Sequence, residues 1–199
     1  WLDESSRKQL SADVQQPDYD RATLKPGILH LGMGAFHRAH QAVFTDDAIS
    51  RSGGAWGIVG VSMRSASVRQ LMQPQQYLYS VMSEDGNAQH LQVIAAVLDV
   101  IVAPENPEAV IEYIANPEIK IITLTITEKA YALAADGWSL NRDAADIKAD
   151  LAAPLQARSA LGLLALGLHR RQQAWQGGAR LTVISCDNVS ENSARLKSV

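Results

Sequence analysis

Hydrophobic residues fall along this chain in short blocks separated by polar, helix-length stretches. Residues 28–31 form the first block and residues 56–61 (Trp-Gly-Ile-Val-Gly-Val) the second. Both have the length and composition of strands buried on two faces. Between them, residues 35–51 carry apolar side chains at helical spacing, with Ala39, Val43, Ala48 and Ile49 as inward positions. Ser52-Gly53-Gly54 supplies the stop. Strand, helix and strand make one βαβ unit.

The alternation then changes. A short helix over residues 67–72 breaks at Pro74. Residues 77–82 read as a strand, Asp85-Gly86 as a turn and residues 89–98 as the return strand, so a hairpin interrupts the parallel pattern. Residues 106–115 predict a helix with Pro107 in its first turn. Residues 119–126 are β-branched and suit a central strand. The stretch 132–154 is mixed and polar, with one short helix near 144–151. Residues 159–175 make the clearest amphipathic helix, with Leu161, Leu164, Ala165, Leu168 and Trp175 inward and Gly177-Gly178 closing it. A strand over residues 180–185 and a helix from about Ser190 complete the pattern. Residues 1–26 show no period and read as an N-terminal arm. Residues 27–199 then form an α/β domain: a Rossmann-type, mostly parallel sheet flanked by helices, with an antiparallel hairpin.

Composition changes this picture little. The 199 residues are 47% hydrophobic and 20% charged, with a net charge of -3. That suits a globular domain and argues against nucleic acid as a partner. The longest apolar blocks are too short to span a bilayer, so no membrane association is expected. The single Cys186 excludes an internal disulfide, and Trp1-Leu2-Asp3-Glu4 lacks a basic leader. Both fit a reducing, cytoplasmic setting. A start without Met reads as a processed or trimmed chain.

The chemistry concentrates after the strands. Gly32-Met33-Gly34 follows the first strand and precedes a helix, the arrangement that holds a nucleotide phosphate: Gly32 permits the tight turn and Gly34 the close approach of backbone. The usual third glycine or alanine is replaced by His37. Residues 127–131 and 186–188 also lie just past strand ends, where ligands bind in open α/β sheets. Glu128 suits a general acid or base, or equally a solvated capping carboxylate. Asn188 suits an amide donor to an anionic oxygen, or equally a turn residue. His37 and His40 share a predicted helical face with Arg38, which gives positive potential near the turn; a metal role lacks a third ligand, and no metal is expected. His30 reads as a core histidine. Cys186 has no evident histidine partner for nucleophilic chemistry. No nucleophile elbow and no Walker loop occur.

Four strings carry a resemblance. They are Gly34-Ala35-Phe36-His37-Arg38-Ala39-His40-Gln41, Gln76-Tyr77-Leu78-Tyr79, Thr125-Ile126-Thr127-Glu128-Lys129-Ala130-Tyr131 and Ser185-Cys186-Asp187-Asn188. Together, from about residue 26 to the end, the chain resembles the long-chain mannitol dehydrogenase family. The resemblance implies the cofactor domain of an NAD(P)-dependent oxidoreductase acting on a sugar or polyol, of the mannitol/fructose or mannonate/fructuronate type. It implies that Gly32, Gly34, Ala35, Phe36 and His37 line the cofactor phosphates, that Asn188 stabilises an oxyanion, and that Glu128 stands beside the proton path. The family's catalytic lysine belongs to a K-x-x-x-x-N-x-x-H pattern in a C-terminal helical domain. No such pattern occurs here, so nucleotide binding with little turnover is expected of this chain.

NAD is the first expectation for the cofactor, because the family mostly uses it. Residues 62–67 hold no carboxylate, and Arg64 among serines suits a 2′-phosphate, or equally a stack on adenine or a solvent-facing position, which leaves NADP open. The rival from another class is a non-catalytic nucleotide-binding or sensing module. A short-chain type reductase needs a Tyr-x-x-x-Lys pair, which Tyr131 does not provide.

Overall fold

The computed structural model describes residues 2–86, 88–176 and 178–199. The strands are β1 (Lys25–Leu31), β2 (Trp56–Ser62), β3 (Tyr79–Asp85), β4 (Ala88–Ile94), β5 (Val97–Val102), β6 (Ile121–Leu124) and β7 (Thr182–Ser185). The α-helices are α1 (Ala35–Ala39), α2 (Gln41–Ser52), α3 (Ser67–Met72), α4 (Pro107–Ala115), α5 (Ala145–Ala152), α6 (Ala160–Trp175) and α7 (Asn192–Ser198).

Five strands form one sheet in the order β5-β2-β1-β6-β7, and every pairing in it is parallel. The chain builds outward from β1 through β2 to β5, then returns to the other side of β1 for β6 and β7. This reversal is a topological switch point. It opens a crevice beyond the carboxyl ends of β1 and β6. β3 and β4 pair antiparallel as a separate two-stranded sheet.

The period-2 alternation of the strands divides the core. Leu29 and Leu31 of β1 and Val59 and Val61 of β2 pack with Ile111 and Ile114 of α4 and Leu163 of α6 on one face. Ile58 packs on the other with Ala42 and Ile49 of α2 and Ile94 and Ala96 around the hairpin. Residues ahead of β1 lie against this second layer. The Tyr19 hydroxyl donates to Asp46 at 2.6 Å, and the Arg21 guanidinium donates to the Ala95 and Val97 carbonyls at 2.9 and 2.8 Å. Asp46 is buried and also accepts from the Ala95 and Ala96 amides at 2.8 and 2.9 Å, which holds the corner between β4 and β5.

Several elements differ from their expected form. The predicted return strand is two strands: β4 ends at Ile94, and after a two-residue corner β5 joins the main sheet beside β2. The predicted helix over residues 35–51 breaks at His40, whose backbone (φ -130°, ψ -78°) is not helical. Ala39 and Ala48 are exposed there, and Ala42, Asp46 and Ile49 face inward. Tyr77 precedes β3 in a left-handed conformation (φ 63°) instead of opening the strand.

The inward face of α6 is rotated from the one read off its leucines. Ala160, Leu163, Leu164, Gly167 and Arg171 are buried, whereas Ala165 and Trp175 are exposed. Two residues that hydropathy assigns outward cause this. A Cβ on Gly167 would lie 2.5 Å from Ile114 Cβ, so its absence lets α4 approach. Arg171 turns its guanidinium inward and donates to the carbonyls of Ile114 and Ile119, both at 3.0 Å, and to Arg180 at 3.1 Å. It thereby satisfies an oxygen in the last turn of α4, which has no partner within the helix, and ties it to the segments that lead into β6 and β7. Gly177, expected to close this helix, lies outside the described residues.

Candidate functional site

At the end of β1 the chain turns through Gly32 (φ +98°). The Gly32 and Met33 amides donate to the Val61 carbonyl at 2.9 and 3.0 Å. No side chain fits at Gly32, because a Cβ would lie 2.2 Å from the Thr125 carbonyl oxygen. Gly34 differs. The nearest atom to its hypothetical Cβ is the Gly32 oxygen at 3.8 Å, so the side lacking a Cβ faces open space. Gly34 caps α1, whose first-turn amides have no acceptor within the helix. At five residues, α1 adds only a small dipole, so the free amides matter more than the helix as a whole.

Gly32, Met33 and Gly34 line a cleft of about 240 Å³ together with Ser62, Arg64, Ser65, Ser67 and Thr125–Thr127. Met63, Arg64 and Ile126 also border a wider hollow of about 670 Å³ that runs to Lys129, Asp150 and Arg158. The structure thus brings the glycine turn and Arg64, far apart in sequence, to one crevice at the switch point.

The other sequence-selected residues lie around this crevice. Ala35 and Phe36 are exposed at the start of α1. Glu128 is exposed at the head of a 3-10 turn (Glu128–Tyr131) and borders a separate depression of about 480 Å³ with Lys129, Asn141 and Arg195. Asn188 is exposed and makes no side-chain hydrogen bond among the described residues. Its loop is tied to the glycine-turn region through Gln41, whose amide donates to Cys186 Sγ at 2.7 Å. Burial pushes the Cys186 thiol up, which lowers its thiolate fraction and its reactivity.

His37 takes a different place from the one expected. It does not share a face with His40. It is only 1% exposed and stacks on His30, with ring centroids 3.7 Å apart. Burial, and then the Arg38 charge, lowers its pKa to about 3. The ring is neutral and adds no positive potential at the turn. His40 stays exposed between Phe36 and Phe44, at centroid distances of 4.9 and 4.8 Å. His30 is the core histidine expected. Its Nδ1 and Nε2 lie 2.7 and 2.9 Å from the hydroxyls of Thr123 and Thr125. The Thr125 hydroxyl donates its one proton to the Gly32 carbonyl at 2.9 Å. It must therefore accept from Nε2–H, which leaves Nδ1 to accept from Thr123. Burial, followed by the neighbouring His37, depresses the His30 pKa well below the ordinary value. A neutral histidine with one defined tautomer thus pins the glycine turn to β6.

Asp187 is the residue whose role sequence reasoning left unassigned. Its carboxylate accepts from the Ile126 and Thr127 amides at 3.1 and 3.0 Å and from the Tyr131 hydroxyl at 2.9 Å. Tyr131, fully buried, has one proton to give, so it accepts from Ser185 Oγ at 2.5 Å. These bonds hold Thr127 at φ +73°, a strained value for a β-branched residue, on the wall of the cleft. The sequence signals for this tie were an Asp two residues past a strand end and its place in the Ser185-Cys186-Asp187-Asn188 string.

A parallel sheet with a glycine turn at its switch point defines a nucleotide-binding domain of the doubly wound class. The comparisons with known proteins narrow this. Residues 26–199 match the model of the mannitol dehydrogenase Rossmann domain, and the chain belongs to that family. It is 36% identical over 190 residues to the polyol:NADP oxidoreductase of Gluconobacter oxydans (strain 621H), covering 93% of this chain and 39% of the relative. It is 36% identical to the mannitol 2-dehydrogenase of Pyrenophora tritici-repentis (strain Pt-1C-BFP), covering 93% of this chain and 33% of the relative. The Pseudomonas fluorescens mannitol 2-dehydrogenase, solved as a ternary complex with NAD and D-mannitol, superposes with a TM-score of 0.91 at 34% identity. That match covers 99% of this chain and 40% of the solved one. The chain therefore spans well under half the length of these relatives.

Proposed function

We propose that this chain is the cofactor-binding part of an NAD(P)-dependent oxidoreductase that interconverts a polyol or sugar acid with its keto-sugar, of the mannitol/fructose or mannonate/fructuronate type. The observation that carries the reading is the cleft at the switch point, with Gly32 allowing no side chain and Gly34 open beside it. A dinucleotide fits this cradle, because a pyrophosphate needs backbone amides at close approach and a Cβ on Gly34 would project into that space. Family membership and the solved relative that holds NAD and D-mannitol add support.

In this reading the bound nicotinamide supplies or accepts the hydride. Gly32, Gly34 and the amides of Ala35, Phe36 and His37 border the phosphates, and Arg64 borders the adenosine ribose. The Asp187 tie keeps Thr127 on the cleft wall. Asn188 donates its amide to the substrate oxygen as that oxygen gains charge, and Glu128 serves the proton path. Both stand on loops that leave the carboxyl edge of the sheet, after β7 and β6, which supports a common substrate side. Residues 1–26 serve as the arm and residues 27–199 as the dinucleotide-binding domain. The single Cys186 supports a reducing, cytoplasmic setting. Among the described residues no helix is long and apolar enough to cross a membrane.

Titration of the purified chain with NADH and NADPH, followed by nicotinamide fluorescence and thermal melting, tests the proposal. Saturable binding with a raised melting temperature is expected, with little oxidation of mannitol or mannonate, because the lysine pattern implied by the family does not occur in these residues. A folded chain that binds neither nucleotide overturns the reading.

A further inference from the structure

Resting on that reading, we infer that the adenosine end of the cleft is built for a ribose 2′-phosphate, with Arg64 as its anchor, so that the chain prefers NADP(H) to NAD(H). A ribose with both hydroxyls free is ordinarily held by a carboxylate at the end of the second strand, which accepts from them. A 2′-phosphate instead needs cationic and hydroxyl donors at that place. Beyond β2 the chain runs Ser62-Met63-Arg64-Ser65-Ala66-Ser67 with no carboxylate. Ser65 and Ser67 bring their hydroxyls within 2.9 Å of each other on the cleft wall.

Arg64 is exposed and borders both the glycine-turn cleft and the wider hollow. Among the described residues its guanidinium has no hydrogen-bond or ion-pair partner. By contrast, Arg69 on the following helix is paired with Glu105 at 2.6 Å. The hollow adds the side chains of Lys129 and Arg158, which are equally uncommitted among the described residues. Its two carboxylates are turned to backbone: Asp150 accepts from the Arg158 and Ser159 amides at 2.8 and 3.1 Å, and Asp146 from the Ile147 amide at 3.0 Å. Donors for a dianion therefore stand free where an acceptor for a diol is missing. A guanidinium suits this task because its planar fork holds phosphate oxygens in pairs.

The test compares dissociation constants for NADPH and NADH, and for 2′,5′-ADP and 5′-ADP as probes without nicotinamide, on the chain and on its Arg64→Ala variant. The expected result is binding of NADPH and 2′,5′-ADP at least about tenfold tighter than their counterparts. Arg64→Ala should collapse that ratio to within about threefold, by weakening NADPH and 2′,5′-ADP far more than NADH and 5′-ADP. NADH binding as tight as NADPH overturns the inference and leaves the proposed function standing. Equal weakening of both nucleotides by Arg64→Ala also overturns it, since Arg64 then serves only the adenine. Binding of neither nucleotide removes both readings. Arg64 is exposed, so the variant should melt as the parent does; if it does not, the parent's own NADPH-to-NADH ratio decides.

Discussion

Gly32 is packed against the main chain of Thr125 so closely that a Cβ on it would stand 2.2 Å from the Thr125 carbonyl oxygen. This contact brings the end of β1 to the end of β6, and it separates two glycines that look alike in the sequence. Gly32→Ala combines a left-handed backbone with a clash against backbone and should cost roughly 2–5 kcal/mol of stability. Gly34→Ala has room for its methyl and should fold nearly as the parent does, while losing nucleotide affinity because the methyl enters the cleft. Urea denaturation and nucleotide titration of the two variants check the contrast. Equal stability losses would show that Gly34 is structural as well.

Asp187 joins the loops after β6 and β7 through three hydrogen bonds. Asp187→Asn keeps the shape but replaces one acceptor oxygen with a donor and removes the charge. It should cost roughly 1–3 kcal/mol. The amides of Ile126 and Thr127 should then exchange hydrogen faster, and nucleotide affinity should fall as the Thr127 wall loosens. Unchanged exchange at both amides would remove the positioning role.

The buried histidine pair sets a pH dependence. His37 has its pKa lowered from 6.5 to about 3, and His30 is lowered as well. Between these values the unfolded chain binds protons that the folded chain does not. Stability is therefore complete above about pH 6.5 and declines as pH falls through the window below it. At pH 5 the loss from His37 should be roughly 2 kcal/mol, and His30 adds to it in the same direction. Denaturant melts at pH 7.5 and pH 5 should show it, and His37→Asn should remove the His37 part of the pH dependence. An unchanged pH slope in that variant would mean that His37 does not stay neutral in the folded state.

The strand-turn-helix start at residues 28–39 and the alternation of strands and helices were legible because each rests on local spacing of apolar residues and on glycines. The four motif strings pointed to the family before any geometry was available. The site itself was legible only in part. Gly32, Gly34 and Arg64 meet at one crevice, whereas Glu128 and Asn188 lie outside it and His37 lies beneath the turn as a neutral core ring. Hydropathy marked His37 as polar and therefore available. It carried no information on the flat face of His30, near the end of β1 on the other side of the glycine turn, against which the ring is desolvated.

By itself the sequence determined the class of fold, the phosphate-type turn and the absence of a carboxylate after β2, since these are properties of residues next to one another in the chain. Only the tertiary structure decided the rest. The return strand divides because Asp46, about fifty residues earlier, caps the amides of Ala95 and Ala96 and frees β5 to pair with β2. The face of α6 rotates because Gly167 and Arg171 meet Ile114 and the carbonyls at the end of α4. Asp187 acquires its task only once β6 and β7 lie side by side. In each case the deciding partner is distant in sequence, and local periodicity shows which face a segment can bury but not what it will bury that face against.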